Sequence, residues 1–151
     1  MLIFLDVSCL NRPCDDQIQP RIRLEAEAVV HILGKCDRRV WRHVSSEIAE
    51  IEIAAIRDPE RRRQVAALLP QKRDRIRLTE ATFQRADRLC TLGVKPADAV
   101  HVACAERGRA NVLLSCDDRL CRFGDRLRGR IRVPIANPLS WLREVANAPY
   151  T

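Results

Sequence analysis

Asp6 and Asp117 each stand at the end of an apolar run: Leu2-Ile3-Phe4-Leu5 before the first, and Val112-Leu113-Leu114 with Ser115 and Cys116 before the second. Runs without alternation read as strands covered on both faces. An acid directly after such a strand lies where open parallel α/β sheets bind their ligands. Asp98 opens a helical segment behind Pro96, and Glu52 lies beside the apolar stripe of another. If the sheet is parallel, Asp6, Asp98 and Asp117 meet at one rim, and Glu52 can join them from a covering helix.

Gathering carboxylates in a half-buried pocket is unfavourable, because each negative charge opposes ionisation of the next. A divalent cation resolves the conflict. Hard oxygen donors with no matching His or Cys select Mg²⁺ or Mn²⁺, which bind phosphates directly. Such an ion can polarise a phosphoryl oxygen, acidify a bound water and shield a leaving oxygen. The net charge of +7 points the same way, since Lys and Arg attract a polyanion. Aromatic residues make up only 4% of the chain, so the stacking platforms of many single-strand binders are largely missing. Arginine and phosphate chemistry would have to carry a nucleic-acid role.

Each acid also has a purely local use. Asp6, Asp98 and either Asp117 or Asp118 can cap helix starts. Glu47, Glu50 and Glu52 can form an exposed face paired with Arg57 and Arg61. His101, three positions after Asp98, reads as a packed helix histidine rather than a general base, and His31 and His43 have no partner spacing. Ser8 and Ser115 can hydrogen-bond the acids or act as local caps. Trp41 and Trp141 are assigned to packing.

The elements that must position these groups follow from periodicity and punctuation. A helix is predicted from about Arg21 to Leu33, closed by Gly34, and a strand around Val40, Trp41 and Val44 that ends at Ser45 and Ser46. Ser46 starts a helix carrying Ile48, Ile51, Ala55 and Ile56 toward the core as far as the Asp58-Pro59 turn. A second helix has Val65, Leu68 and Leu69 on one side and Arg61, Arg62 and Arg63 on the other. Next come an edge segment at Asp74–Glu80 and a helix stopped at Gly93. Pro96 and Asp98 open a further helix, ended by Gly108, that leads into the strand before Asp117. A last strand is expected around Arg130 to Ile135, and a final helix near Pro138 and Ser140. Strands alternating with helices give an α/β, three-layer α/β/α architecture around a central, mostly parallel sheet.

With 46% hydrophobic residues in 151, one domain over residues 1–151 can bury a sizeable core. No apolar stretch approaches the roughly 20 residues of a membrane span, and no signal-peptide pattern opens the chain. The expectation is a soluble, cytoplasmic protein without a membrane partner. Seven scattered cysteines, an odd number with no C-x-x-C pair, read as buried reduced thiols.

The segments LDVSCLNRP, SSEIAEIE, KPADAVHVACAERGRANVLLSCDD and NPLSWL together resemble the PIN-domain nuclease superfamily, and within it the VapC-like toxins of type II toxin–antitoxin systems. The resemblance spans nearly the whole chain. Asp6 matches the family's first acid and Glu52 the second, six positions after Ser46, with Glu47 as the alternative. Asp98 matches the third, in the D-A-x-x-x-A-x-A helix, and Asp117 the fourth, with Asp118 beside it. The resemblance implies a PIN-like fold and a divalent-metal-dependent endoribonuclease. It also implies a homodimer and a cognate antitoxin that covers the site. On this reading Asp6, Asp98 and Asp117 ligate Mg²⁺ or Mn²⁺, Glu52 positions water or a second ion, and RNA is the substrate. The arginines of RDPERRR and QKRDR then steer RNA, form a solvated face or meet the antitoxin. The alternatives are a catalytically inactive PIN-fold module that binds RNA or protein, and a receiver-like Mg²⁺-binding signalling domain. The receiver reading expects a late Lys, and the C-terminal third has none.

Overall fold

Ile3, Phe4 and Leu5 are fully buried because helices cover both faces of their strand. The computed structural model describes residues 1–148. Its strands are β1 (Leu2–Leu5), β2 (Arg42–Ser46), β3 (Arg75–Ile76), β4 (Val112–Leu114) and β5 (Ile135–Ala136). Between and after them run helices α1 (Val7–Asn11), α2 (Pro20–Asp37), α3 (Glu47–Ala54), α4 (Pro59–Ala66), α5 (Glu80–Thr91), α6 (Pro96–Arg107), α7 (Asp118–Arg126) and α8 (Pro138–Asn147). The strands form one sheet in the order β3-β2-β1-β4-β5, and every pairing is parallel. Ile3 pairs with His43 on one side and Val112 on the other.

Alternation along the strands divides the core. Ile3, Leu5, Val112 and Leu114 pack with Cys9, Leu10, Val29, Ile32, Ile53, Val65 and Trp141 from α1 to α4 and α8. Phe4, Val44 and Leu113 face the other way, against Ala86, Leu89, Val102, Leu120 and Phe123 of α5, α6 and α7. The α/β/α layering is therefore as expected, with a sheet that is wholly parallel. Trp41 and Trp141 meet edge to face at 5.1 Å, which bears out their assignment to packing.

Several boundaries differ from expectation. Gly34 does not end α2, which continues to Asp37; the left-handed turn falls instead at Arg39, with φ 61°. In α3 the inward residues are Ala49 and Ile53, while Ile51 is 58% exposed and Ala55 is exposed. Isoleucine occurs on several sides of this helix, so its period alone did not fix the rotation. Leu68 and Leu69 follow the end of α4, and Trp41 precedes β2. The last strand is only Ile135–Ala136; Ile131 and Val133 are buried in the loop before it. All seven cysteines are free, but only Cys9, Cys104 and Cys116 are fully buried.

From β1 the chain moves outward to β2 and β3. Helices α5 and α6 then return it to the other side of β1, where β4 and β5 follow. Strand order thus reverses between β1 and β4. A crevice at the carboxyl ends of those two strands follows from this topology.

Candidate active site

Asp6 stands at the carboxyl end of β1, beside the reversal of strand order, and is 5% exposed. Its local role is real: Oδ1 caps α1, accepting from Cys9 N at 3.0 Å and Ser8 Oγ at 2.5 Å. Oδ2 has no hydrogen bond among the described residues. Asp117 enters from β4 and caps α7, accepting from Arg119 N at 2.9 Å. Ser8 joins the two loops, since its Oγ also accepts from Cys116 N at 3.1 Å. Ser115 Oγ in turn accepts from Asp117 N at 3.0 Å. The two serines are structural clasps that fix where both acids emerge.

Asp98 lies in the first turn of α6, where a carboxylate suits the helix dipole. It is half-buried and has no hydrogen bond or ion pair among the described residues. Burial, reinforced by the charges of Asp117 and Asp6, pushes its carboxyl above the usual range; His101 and Lys95 oppose this only in part. Asp6, Asp98 and Asp117 therefore share one electrostatic neighbourhood.

Glu52 comes from α3 and meets α6 through His101, whose Nε2–H donates to Oε1 at 2.9 Å. An ionised carboxylate only accepts, so the proton belongs to the ring. His101 is 3% exposed and lies edge-on to Phe4. Burial alone lowers an imidazole's affinity for protons. The Glu52 bond and the charges of Glu52, Asp6 and Asp98 outweigh it, and the pKa is raised. Its Nδ1 is buried without a partner.

The other acids are occupied elsewhere. Glu47 accepts from Leu78 N at 3.1 Å, and Glu50 pairs with Arg75 at 3.0 Å, both near the β3 edge. Asp118 forms a two-pronged pair with Arg21, which lowers its pKa. His101 is the residue that the sequence undervalued. The available signal was its three-residue spacing from Asp98, which places both on one side of α6.

The donor set suits a hard divalent ion: three carboxylates, mutual repulsion, and a free oxygen on each. No three His, Cys, Asp or Glu side chains among the described residues are drawn close enough to grip an ion as they stand. Mg²⁺ keeps several of its own waters and is usually bound through one or two carboxylates, so a preformed three-carboxylate cage is not required of its site.

The PIN domain model matches residues 3–126, from β1 through α7. The chain belongs to the PIN domain family. All four sequence-matched acids fall inside the matched region. PIN domains are generally metal-dependent nucleases that bind divalent ions and act on nucleic acids. None of the curated proteins matches the chain. The strand order also separates this PIN domain from receiver-like modules, whose order is 2-1-3-4-5. No helix among the described residues is long and apolar enough to cross a membrane.

Proposed function

We propose that this PIN domain, one unit over residues 1–151, is a divalent-metal-dependent endoribonuclease and the toxin of a VapC-like toxin–antitoxin pair. The observation that carries the nuclease reading is Asp98: a half-buried acid in no ion pair among the described residues, with Asp6 and Asp117 acting on it more strongly than His101 and Lys95 do, at the reversal of strand order. The motif resemblance supports the toxin role, the cognate antitoxin and the homodimer.

Asp6, Asp98 and Asp117 would hold Mg²⁺ or Mn²⁺. The bound ion supplies charge neutralisation, polarisation of a phosphoryl oxygen and acidification of water. Glu52, anchored by His101, orients the attacking water and accepts its proton. His101 is a positioning residue, because it acts through Glu52. Ser8 keeps Asp6 and the β4 loop in register.

The test is cleavage of single-stranded and structured RNA with Mg²⁺ or Mn²⁺, for the native chain and Asp6→Asn. Cleavage by the native chain alone, abolished by EDTA, is expected. Equal cleavage by both without metal would overturn the mechanism. The absence of a ready-made three-ligand cluster favours a second reading, a PIN-fold module that binds RNA or protein without cutting. That reading requires binding of RNA or a protein partner without cleavage, and no Mn²⁺-dependent rise in melting temperature.

A further inference from the structure

We infer that the outer face of α7 is a track for the phosphate backbone of single-stranded RNA, leading to the acid crevice. Arg119, Arg122 and Arg126 carry it. This rests on the nuclease reading and extends it by naming where the substrate strand lies.

The three arginines follow each other at steps of three and four residues, so they form one stripe along the helix. The stripe covers about 10 Å at 1.5 Å per residue. All three are exposed. The nearby acids of α7 form their ion pairs with other arginines: Asp118 with Arg21, and Asp125 with Arg128 at 3.2 Å. No ion pair to Arg119, Arg122 or Arg126 exists among the described residues, so the stripe presents three unpaired guanidinium groups, of which Arg122 feels the charge of Asp118 one turn away.

The stripe is also held in place. A Cβ on Gly124 would lie 2.7 Å from Ile135 Cβ, so α7 seats flush on β5 and cannot roll without collision. The guanidinium groups of Arg119 and Arg126 lie 5.8 Å and 4.6 Å from the centre of the buried Phe123 ring. Those contacts restrict two long side chains that would otherwise sweep through solvent. Finally, Asp117 caps α7, so Arg119 lies within one turn of the crevice and the other two lead away from it.

A row of exposed charges in no ion pair suits repeating phosphates, and the nearness to Asp117 gives the row a direction. Neutralising phosphates releases counterions, which makes the contribution visible as salt dependence.

The experiment measures binding of fluorescent oligouridylate against KCl concentration in an Asp6→Asn background, which prevents cleavage. Arg119→Gln/Arg122→Gln/Arg126→Gln is expected to bind about a few hundredfold more weakly near 50 mM KCl. The slope of log K against log salt should shrink by about 2, since each contact on a single strand contributes about 0.7. Arg122→Gln alone should remove about 0.7. A control with the same charge change, Arg38→Gln/Arg88→Gln/Arg143→Gln, should leave the slope nearly intact. The inference is overturned if the α7 triple binds as its parent does, if the control loses as much, or if polyglutamate competes as well as RNA. If the first of these occurs while the native chain still cleaves RNA with Mn²⁺, the track fails and the nuclease reading stands. Absence of both RNA binding and cleavage in the native chain would remove both.

Discussion

Glu25 and Asp98 are both acids withdrawn from bulk water, and the molecule surrounds them in opposite ways. Glu25 is 1% exposed and is met by Arg12 Nε at 3.2 Å, Arg21 Nε at 3.6 Å and the Asn137 side-chain amide. Asp98 receives no hydrogen bond or ion pair among the described residues, and the two like charges acting on it outweigh the pull of His101 and Lys95. Arginine is not scarce in this chain, so the contrast is one of position. Around Glu25, side chains from α2, the loop before it and the start of α8 complete a satisfied network. Around Asp98, the sheet's order reverses and the fold leaves negative charge only partly compensated. A locally unfavourable arrangement at a ligand-binding position is the mark of a site, and a satisfied network marks stability.

The sharpest way to break this contrast is to remove each acid. Asp98→Asn should lower RNA cleavage by about 10³-fold, the loss of several kcal/mol of transition-state stabilisation. It should melt no lower than the native chain in EDTA, because a repulsion has been removed. Glu25→Ala should behave in reverse, losing about 2 kcal/mol of stability while its folded fraction keeps near-native cleavage. That figure is discounted from the cost of breaking a fully buried pair because Arg21 is largely exposed. Urea titration with single-turnover cleavage separates the two. If both variants lose activity equally per folded molecule, the distinction between network and site is wrong.

The amino ends of the strands extend the comparison. There Arg42 pairs with Asp74, and His43 is buried and neutral, its pKa lowered by burial to about 4 against a partial pull from Asp74. A histidine that is harder to protonate when folded contributes stability above its unfolded pKa of about 6.5 and loses it as pH falls through the folded value. The loss across pH 6.5 to 4 is on the order of 3 kcal/mol. His43→Phe should flatten that part of the curve, measured by urea melts at several pH values. Because His43 Nε2 has no partner, the substitution forfeits no hydrogen bond at that atom. An unchanged curve would assign acid instability to the carboxylates alone.

What the sequence disclosed of these regions depends on how local the signal is. The strands before Asp6 and Asp117 were legible because consecutive apolar residues end abruptly in acids. Ser46 as a helix cap and Gly93 as a stop were legible because each is governed by neighbouring backbone. The rotation of α3 was not, since Ile48, Ile51, Ile53 and Ile56 offer several apolar faces and the sheet chose among them. The pairing of Glu52 with His101 joins residues 49 positions apart, and Glu25 meets Asn137 across 112. Spacing along a chain carries no information about such meetings. The reversal of strand order, which brings Asp6 and Asp117 to one crevice, likewise belongs to the assembled sheet.

The smallest expected effect probes the site without substrate. An acid whose folded pKa is raised binds its proton more tightly in the folded state, so its contribution is fully present below the unfolded pKa. That contribution is lost as pH rises through the folded value. In EDTA, Asp98 should therefore make stability decline as pH climbs out of the ordinary carboxylate range. The difference between the native chain and Asp98→Asn isolates this from the opposing contribution of His43. Saturating Mn²⁺ should invert the sign of that difference, because a bound cation favours the ionised carboxylate and makes the complex tighter as pH rises. Thermal melts across pH 4 to 7, with and without Mn²⁺, supply the measurement. A difference curve that is flat in both conditions would mean that Asp98 neither feels its acidic neighbours nor contributes to holding an ion.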